Sequence, residues 1–229
     1  MTTESIIIFK PNDKRAKYAI IGIWIVFTIE IISMLSNYLQ YDLIDSVMNG
    51  LSISQLVADN NDKRQQIINL ISLLFIIVSG VAFIYWFRRA YYNLGLIANT
   101  MHTDNWAIWA WVTPIISLFR PYQIMKELYE KTDNYLIDEK GISVEKTKLP
   151  FIGVWWFFWL AARTTESVLS KIYSKSDTIE QIMFSTKMFI VFNFVELIHC
   201  IIAIKIIADY SKKESILFET NLFSIPFTS

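Results

Sequence analysis

Residues 86–129 read WFRRAYYNLGLIANTMHTDNWAIWAWVTPIISLFRPYQIMKELY, and the way this stretch meets a bilayer decides the fold. It opens on the aromatic end of an apolar segment, is interrupted by Arg88 and Arg89, and passes through a Trp-rich apolar run, 106–119, broken by Pro114. Arg120 and Pro121 then lead into a polar helix. A helix crossing the hydrocarbon needs about 20 apolar residues, whereas runs of 10–14 are usually re-entrant or buried. The run 106–119 falls in the second class, and irregular backbone at membrane depth is acceptable where protein covers it.

The whole chain has the composition of an integral membrane protein. Apolar residues make up 54% and charged residues 18%, mean hydropathy is +0.38, and the apolar residues come in blocks. Twenty-one Lys and Arg balance twenty-one Asp and Glu, so bulk electrostatics recruits no nucleic acid. Cys200 alone makes no intramolecular disulfide, and with two histidines there is no cluster of zinc-site spacing. The opening run 6–9 is too short for a signal-peptide core, and the first long apolar run reads as an uncleaved span.

Four long apolar runs are expected to span: 18–39, 67–87, 151–171 and 183–207. Between the second and third, 88–101 reads as an interfacial helix whose arginines meet phosphate. The run 106–119 reads as a re-entrant or half-inserted element, and Pro121 suits the first turn of a helix over 121–131. The connection 120–150 is charged, with room for a small hairpin (135–137 with 142–144). Lys and Arg enrichment on the cytoplasmic side separates a crossing from a dip. If 106–119 crosses, eight fall inside and eleven outside, the wrong sign; if it dips and returns, fifteen fall inside and four outside. The expected fold is therefore an all-α membrane domain over 1–229, with four transmembrane helices, a short Trp/Pro re-entrant element and both termini cytoplasmic.

An ordered set of motifs runs through the same region. Aromatic-x-Arg-Ala-x-x-Asn-Leu (Phe87, Arg89, Ala90, Asn93, Leu94) is followed by Trp-Ala-x-x-x-Trp-x-x-Pro-Ile (Trp106, Ala107, Trp111, Pro114, Ile115). Then come Arg-Pro-Tyr-Gln-x-x-x-Glu-Leu (Arg120 to Gln123, Glu127, Leu128) and Trp-Trp-x-x-Trp-Leu (Trp155, Trp156, Trp159, Leu160). This order, covering residues 87–160, resembles the bacterial membrane family called domain of unknown function 4328. The chain departs from it in lacking glycines within the Trp-Ala-x-x-x-Trp run. The resemblance implies a multi-pass protein of the bacterial inner membrane and brings no established activity.

Three charges fall near the middle of the expected spans: Glu30, Arg163 and Glu196. Each costs at least about 2.5 kcal/mol at the bilayer centre, so such residues pair or line a wet path. Arg163 between Glu30 and Glu196 would satisfy most of that charge, either to fix helix docking or to form an ion or proton path. Arg163 and Glu166 are spaced to bond on one helix face. Glu196 and His199 have the Glu-x-x-His spacing of carboxylate-bridged metal sites, but no second pair exists to complete one.

Nucleophile elbows and phosphate loops are absent, and six glycines leave little material for a cradle. No catalytic, cofactor or metal residue is assigned. The Trp-rich runs read as interface belts and packing, with the alternative that Trp106, Trp111 and Pro114, flanked by Arg88, Arg89, Arg120 and Pro121, hold a polar ligand at the headgroup face. The leading expectation is a non-enzymatic, pore-forming or membrane-perturbing component, embedded in lipid and assembled as a homo-oligomer. The alternatives are a scaffold whose connection 133–148 docks a soluble cytoplasmic partner, as in a defence or secretion system, and a lipid-directed enzyme using His102 as base.

Overall fold

The computed structural model describes residues 9–176 and 178–222; the opening run 6–8 and the end of the tail, 223–229, lie outside the described residues. Among the described residues six α-helices follow in order: α1 (Asp13–Met48), α2 (Gln55–Leu94), α3 (Trp106–Val112), α4 (Arg120–Asn134), α5 (Leu149–Tyr173) and α6 (Ile179–Leu222). No strand occurs among the described residues. Local chemistry sets the ends. α1 closes on Gly50 at φ 88°, with the Gly50 N–H donating to Val47 O and the Leu51 N–H to Ser46 O, the paired bonds of a glycine-terminated helix. Ser54 and Thr178 accept from the first turns of α2 and α6. Pro121 sits in the first turn of α4, where a missing N–H costs nothing.

Three helices, α1, α2 and α6, are long and apolar enough to cross a membrane. α5 is 25 residues long, but its apolar part stops at Ala162, before Arg163. Fourteen residues, 149–162, reach only about 21 Å.

The chain divides into two compact units. One comprises residues 21–79 and 155–203. Its buried positions include Glu30, Ser33, Gln40, Asn61, Thr186 and Asn193, while Ile32, Leu35, Leu70, Leu74, Val78, Val191 and Phe194 are exposed. Polar groups inside and aliphatic groups outside is the pattern of helices whose solvent is lipid. Gly22 lets α1 approach α2 closely, since a Cβ there would lie 3.1 Å from the Ser79 backbone.

The other unit comprises 9–20, 80–154 and 204–222 among the described residues. It packs a core of aromatic and aliphatic side chains: Trp86, Ala90 and Leu94 of α2, Leu128 and Tyr129 of α4, and Ile206 and Tyr210 of α6. On α2 and α6 they are spaced by four residues, the stripe of an amphipathic helix.

Two expectations are corrected. Arg88 and Arg89 do not end the second helix, and no separate interfacial helix covers 88–101: α2 continues to Leu94 and turns over 95–98. The arginines are accommodated without a break, because Arg88 reaches Asp104 and Asn105, both at 3.1 Å, and Tyr91 and Leu94 enter the core. The hairpin over 135–144 does not form. A π-helical turn, Tyr135–Glu139, extends α4 and Gly141 at φ 67° reverses the chain. The alternating Ile142 and Val144 pack on Leu136 and Leu217, so their periodicity served a packed loop. The proline-broken run 106–119 is divided as its sequence suggests: α3 has seven residues, about 10 Å, and a 3₁₀ turn, Ile116–Leu118, follows Pro114.

Candidate functional site

A row of polar side chains lines one face of α1 in the first unit. Glu30, Ser33, Ser36, Asn37 and Gln40 recur every three or four residues and therefore share a helix face. Glu30 is 6% exposed, and its carboxylate accepts from Asn193 Nδ2 of α6 at 2.6 Å. Asn193 Oδ1 in turn accepts from Asn37 at 2.9 Å. One turn further along α1, Gln40 donates to Thr186 Oγ1 at 2.9 Å and accepts from Asn61 of α2. Arg64 donates to Ser36 Oγ and to Asn61. Glu196 and Glu166 lie within electrostatic reach of Glu30. The result is a chain of carboxylate, amides and hydroxyls running through apolar helices.

A second polar network lies in the other unit, among the motif residues. Glu127, buried on α4, accepts from Tyr91 Oη at 2.5 Å and from the Met101 N–H at 2.8 Å, and pairs with Lys131 at 2.6 Å. Burial first, then the Glu127 carboxylate, raises the Tyr91 phenol above its usual range. Asn93 clamps the N-terminal segment by donating to Lys10 O at 2.8 Å and accepting from the Lys10 N–H at 3.2 Å. It also donates to Glu214 at 2.8 Å. Ala90, Leu94, Ala107 and Leu128 close the core between them. A family model, domain of unknown function (DUF4328), matches residues 49–212. The chain belongs to the DUF4328 family. No curated protein and no solved structure matches it. Those DUF4328 motif residues hold the second unit together: its asparagine, glutamate and small residues are packing and hydrogen-bonding positions.

The remaining expected residues separate. Glu196 and His199 are brought together, carboxylate to Nδ1 at 3.2 Å, both half-buried. Arg163 and Glu166 are exposed; the Arg163 guanidinium lies 6.0 Å over the Trp159 ring, and no ion pair among the described residues joins it to Glu30 or Glu196. No group of three or more His, Cys, Asp or Glu that could hold a metal occurs among the described residues.

Among the residues expected at a headgroup face, Arg120 stacks 4.8 Å over Trp106 and approaches His102 Nδ1 at 3.2 Å. Burial, and then the Arg120 charge, lower the His102 pKa. Arg89 is half-buried, its pKa lowered first by burial. Trp111 packs edge-on against Phe83 and Phe87. Pro114 is followed by Ile115 at φ 64°, with the Ile116 N–H donating to Pro114 O at 2.7 Å, a γ-turn of the strained, positive-φ kind.

Sequence reading found Glu30 and missed its partners Asn37, Gln40, Thr186 and Asn193. The signal was present as polar residues at helical spacing in apolar runs: Asn37 and Gln40 stand seven and ten residues after Glu30, and Asn193 seven after Thr186. Glu214 and Asn12 carried no such signal, because they meet only in the folded chain.

Proposed function

We propose that the chain is a four-span, non-enzymatic membrane protein that assembles as a homo-oligomer and passes protons or small cations along the α1–α6 seam. The observation that carries this is Glu30, a buried carboxylate on an apolar helix whose hydrogen bond is to an amide and which enters no ion pair among the described residues. Leaving such a group unpaired in a bilayer is costly, and intramembrane carboxylates of this kind mark ion and proton routes. The row Ser33, Asn37 and Gln40 supplies exchangeable donors and acceptors on either side of a moving ion. Assembly of copies would set this seam beside its counterpart in a neighbouring chain.

In this reading α5 is the fourth span although its apolar part is short, a mismatch met by local bilayer thinning and by Arg163 lying along Trp159 toward the interface, and the exposed Trp109, Val112, Ile115 and Leu118 dip into the lipid. Both termini are cytoplasmic in a bacterial inner membrane. Proteoliposomes carrying an internal pH dye test it: the wild type dissipates an imposed proton gradient and Glu30→Gln does not. Wild-type vesicles no leakier than empty ones would sink the pore.

The scaffold reading rests on the connection 133–148. The Thr147 N–H donates to Asp133 at 2.9 Å and Lys213 donates to Glu145 O at 2.7 Å, pinning the loop while Asp138, Glu139, Lys146 and Lys148 stay exposed. A fixed charged surface suits a soluble partner. A partner lost on Lys146→Glu with Lys148→Glu would favour it.

A further inference from the structure

The unit that holds Asn93 also contains a pocket of ≈ 230 Å³ between the N-terminal segment and the last turns of α6. Phe9 and Phe218 contribute apolar wall, and the polar lining includes three carboxylates, Asp13, Glu214 and Glu219, against one lysine. That lysine, Lys10, has its ammonium 4.3 Å over the Tyr92 ring.

Asn12 lines the same pocket and is only 5% exposed. Its amide nitrogen is committed, donating to Trp86 O at 3.2 Å and to Glu214 Oε2 at 2.8 Å. Its Oδ1 is buried and has no hydrogen-bond partner, and the Ser211 hydroxyl beside it is in the same condition. A buried acceptor left unmet costs about 1–3 kcal/mol. Glu214 is held from both sides by amides, Asn12 on one oxygen and Asn93 on the other, and each carboxylate oxygen keeps a further lone pair. Acceptors therefore outnumber donors around a cavity with aromatic walls.

We infer that this pocket binds a small organic ammonium ion, a primary amine on a short alkyl body, with the ammonium donating to Asn12 Oδ1 and Glu214 and the alkyl part lying against Phe9 and Phe218. A primary ammonium offers three donors and a full charge, which matches the unmet acceptor and the acidic rim; the aromatic walls favour an organic body over a bare metal cation. The site is independent of the seam along α1 and stands or falls separately from it.

The test is thermal melting of the full-length, detergent-purified protein above neutral pH, titrated with n-butylamine and 1,4-diaminobutane, with 1-butanol and potassium chloride as controls. The amines raise the melting temperature saturably and the controls do not, because ligand binding to the native state stabilises by mass action. Asp13→Asn and Glu219→Gln, both at exposed rim positions, each weaken the amine about two- to fivefold. Glu214→Gln, which keeps shape and hydrogen bonding, weakens it more. The inference is overturned if no amine acts saturably on the wild type, if potassium chloride reproduces the effect at matched ionic strength, or if the two rim variants bind like the wild type.

Discussion

Two buried carboxylates show how one residue type serves different ends. Glu127 is a structural acceptor: it takes Tyr91 Oη and the Met101 N–H and pairs with Lys131. Glu127→Ala strands a phenol and an amide, each costing about 1–3 kcal/mol, so chemical denaturation in detergent should show a drop of that order; Glu127→Gln, which keeps an acceptor, should lose less. Glu214 is the titrating one. Burial outweighs the amides of Asn12 and Asn93 and the Arg89 charge, with Asp13 adding to the rise, and its carboxyl is pushed up to about 7 from 4.5. Between those values the folded chain holds a proton that the unfolded chain has released, so stability falls as pH rises through the window and the full penalty is reached above about 7. Glu214→Gln should flatten melting temperature against pH over that range, gaining up to about 3 kcal/mol relative to wild type on the alkaline side. An unchanged slope would mean that another group titrates there.

At the scale of elements, the turn after α3 is the strained one. Ile115 is β-branched, 75% exposed and held at φ 64°, where such residues are outliers worth about 1–3 kcal/mol. Ile115→Gly should raise the melting temperature in detergent while reducing partition of the protein's Trp-rich turn into lipid, read as lower quenching of tryptophan by brominated acyl chains. Unchanged quenching would show that the turn stays out of the bilayer. The same element shows what sequence could and could not tell. α1, α2 and α6 were legible because an 18-residue window of high mean hydropathy with at most two charged residues admits few other readings. The length of 106–119 argued against a crossing, but its break into α3, a γ-turn and a 3₁₀ turn depends on Pro114 and on packing that no periodicity encodes. Arg88 and Arg89 looked like a stop because charge ends a span; α2 runs through them because Asp104 and Asn105, sixteen and seventeen residues on, return to meet Arg88. Glu30 was visible as a charge in an apolar run, whereas Asn193, 163 positions away, could be assigned to it only by the fold. Tyr91 and Leu94 fall within the expected interfacial helix over 88–101, and their burial shows that an apolar stripe does not say whether lipid or protein covers it.

For the whole molecule, the strongest constraint is that residues 9–20, 80–154 and 204–222 form one compact unit. A bilayer cannot pass between segments joined by buried hydrogen bonds such as Asn93 to Lys10 and to Glu214, or Tyr129 Oη to Ile206 O, because each would lose its partner to hydrocarbon. The three stretches must therefore share a side. Fifteen of the Lys and Arg residues belong to them against four in the other connections, and under the proposed topology that basic excess assigns their side to the cytoplasm. Single cysteines at Lys14, Lys146 and Lys212, all exposed, in a Cys200→Ser background should react with an impermeant thiol reagent in inverted vesicles and not in intact cells. A cysteine at Asn60, also exposed, should do the reverse if the first span crosses once. Lys146 behaving unlike Lys14 would require 106–119 to cross after all, which its seven-residue helix cannot do, so that result would overturn the shared unit itself; all four positions inverted together would keep the unit and reverse the orientation.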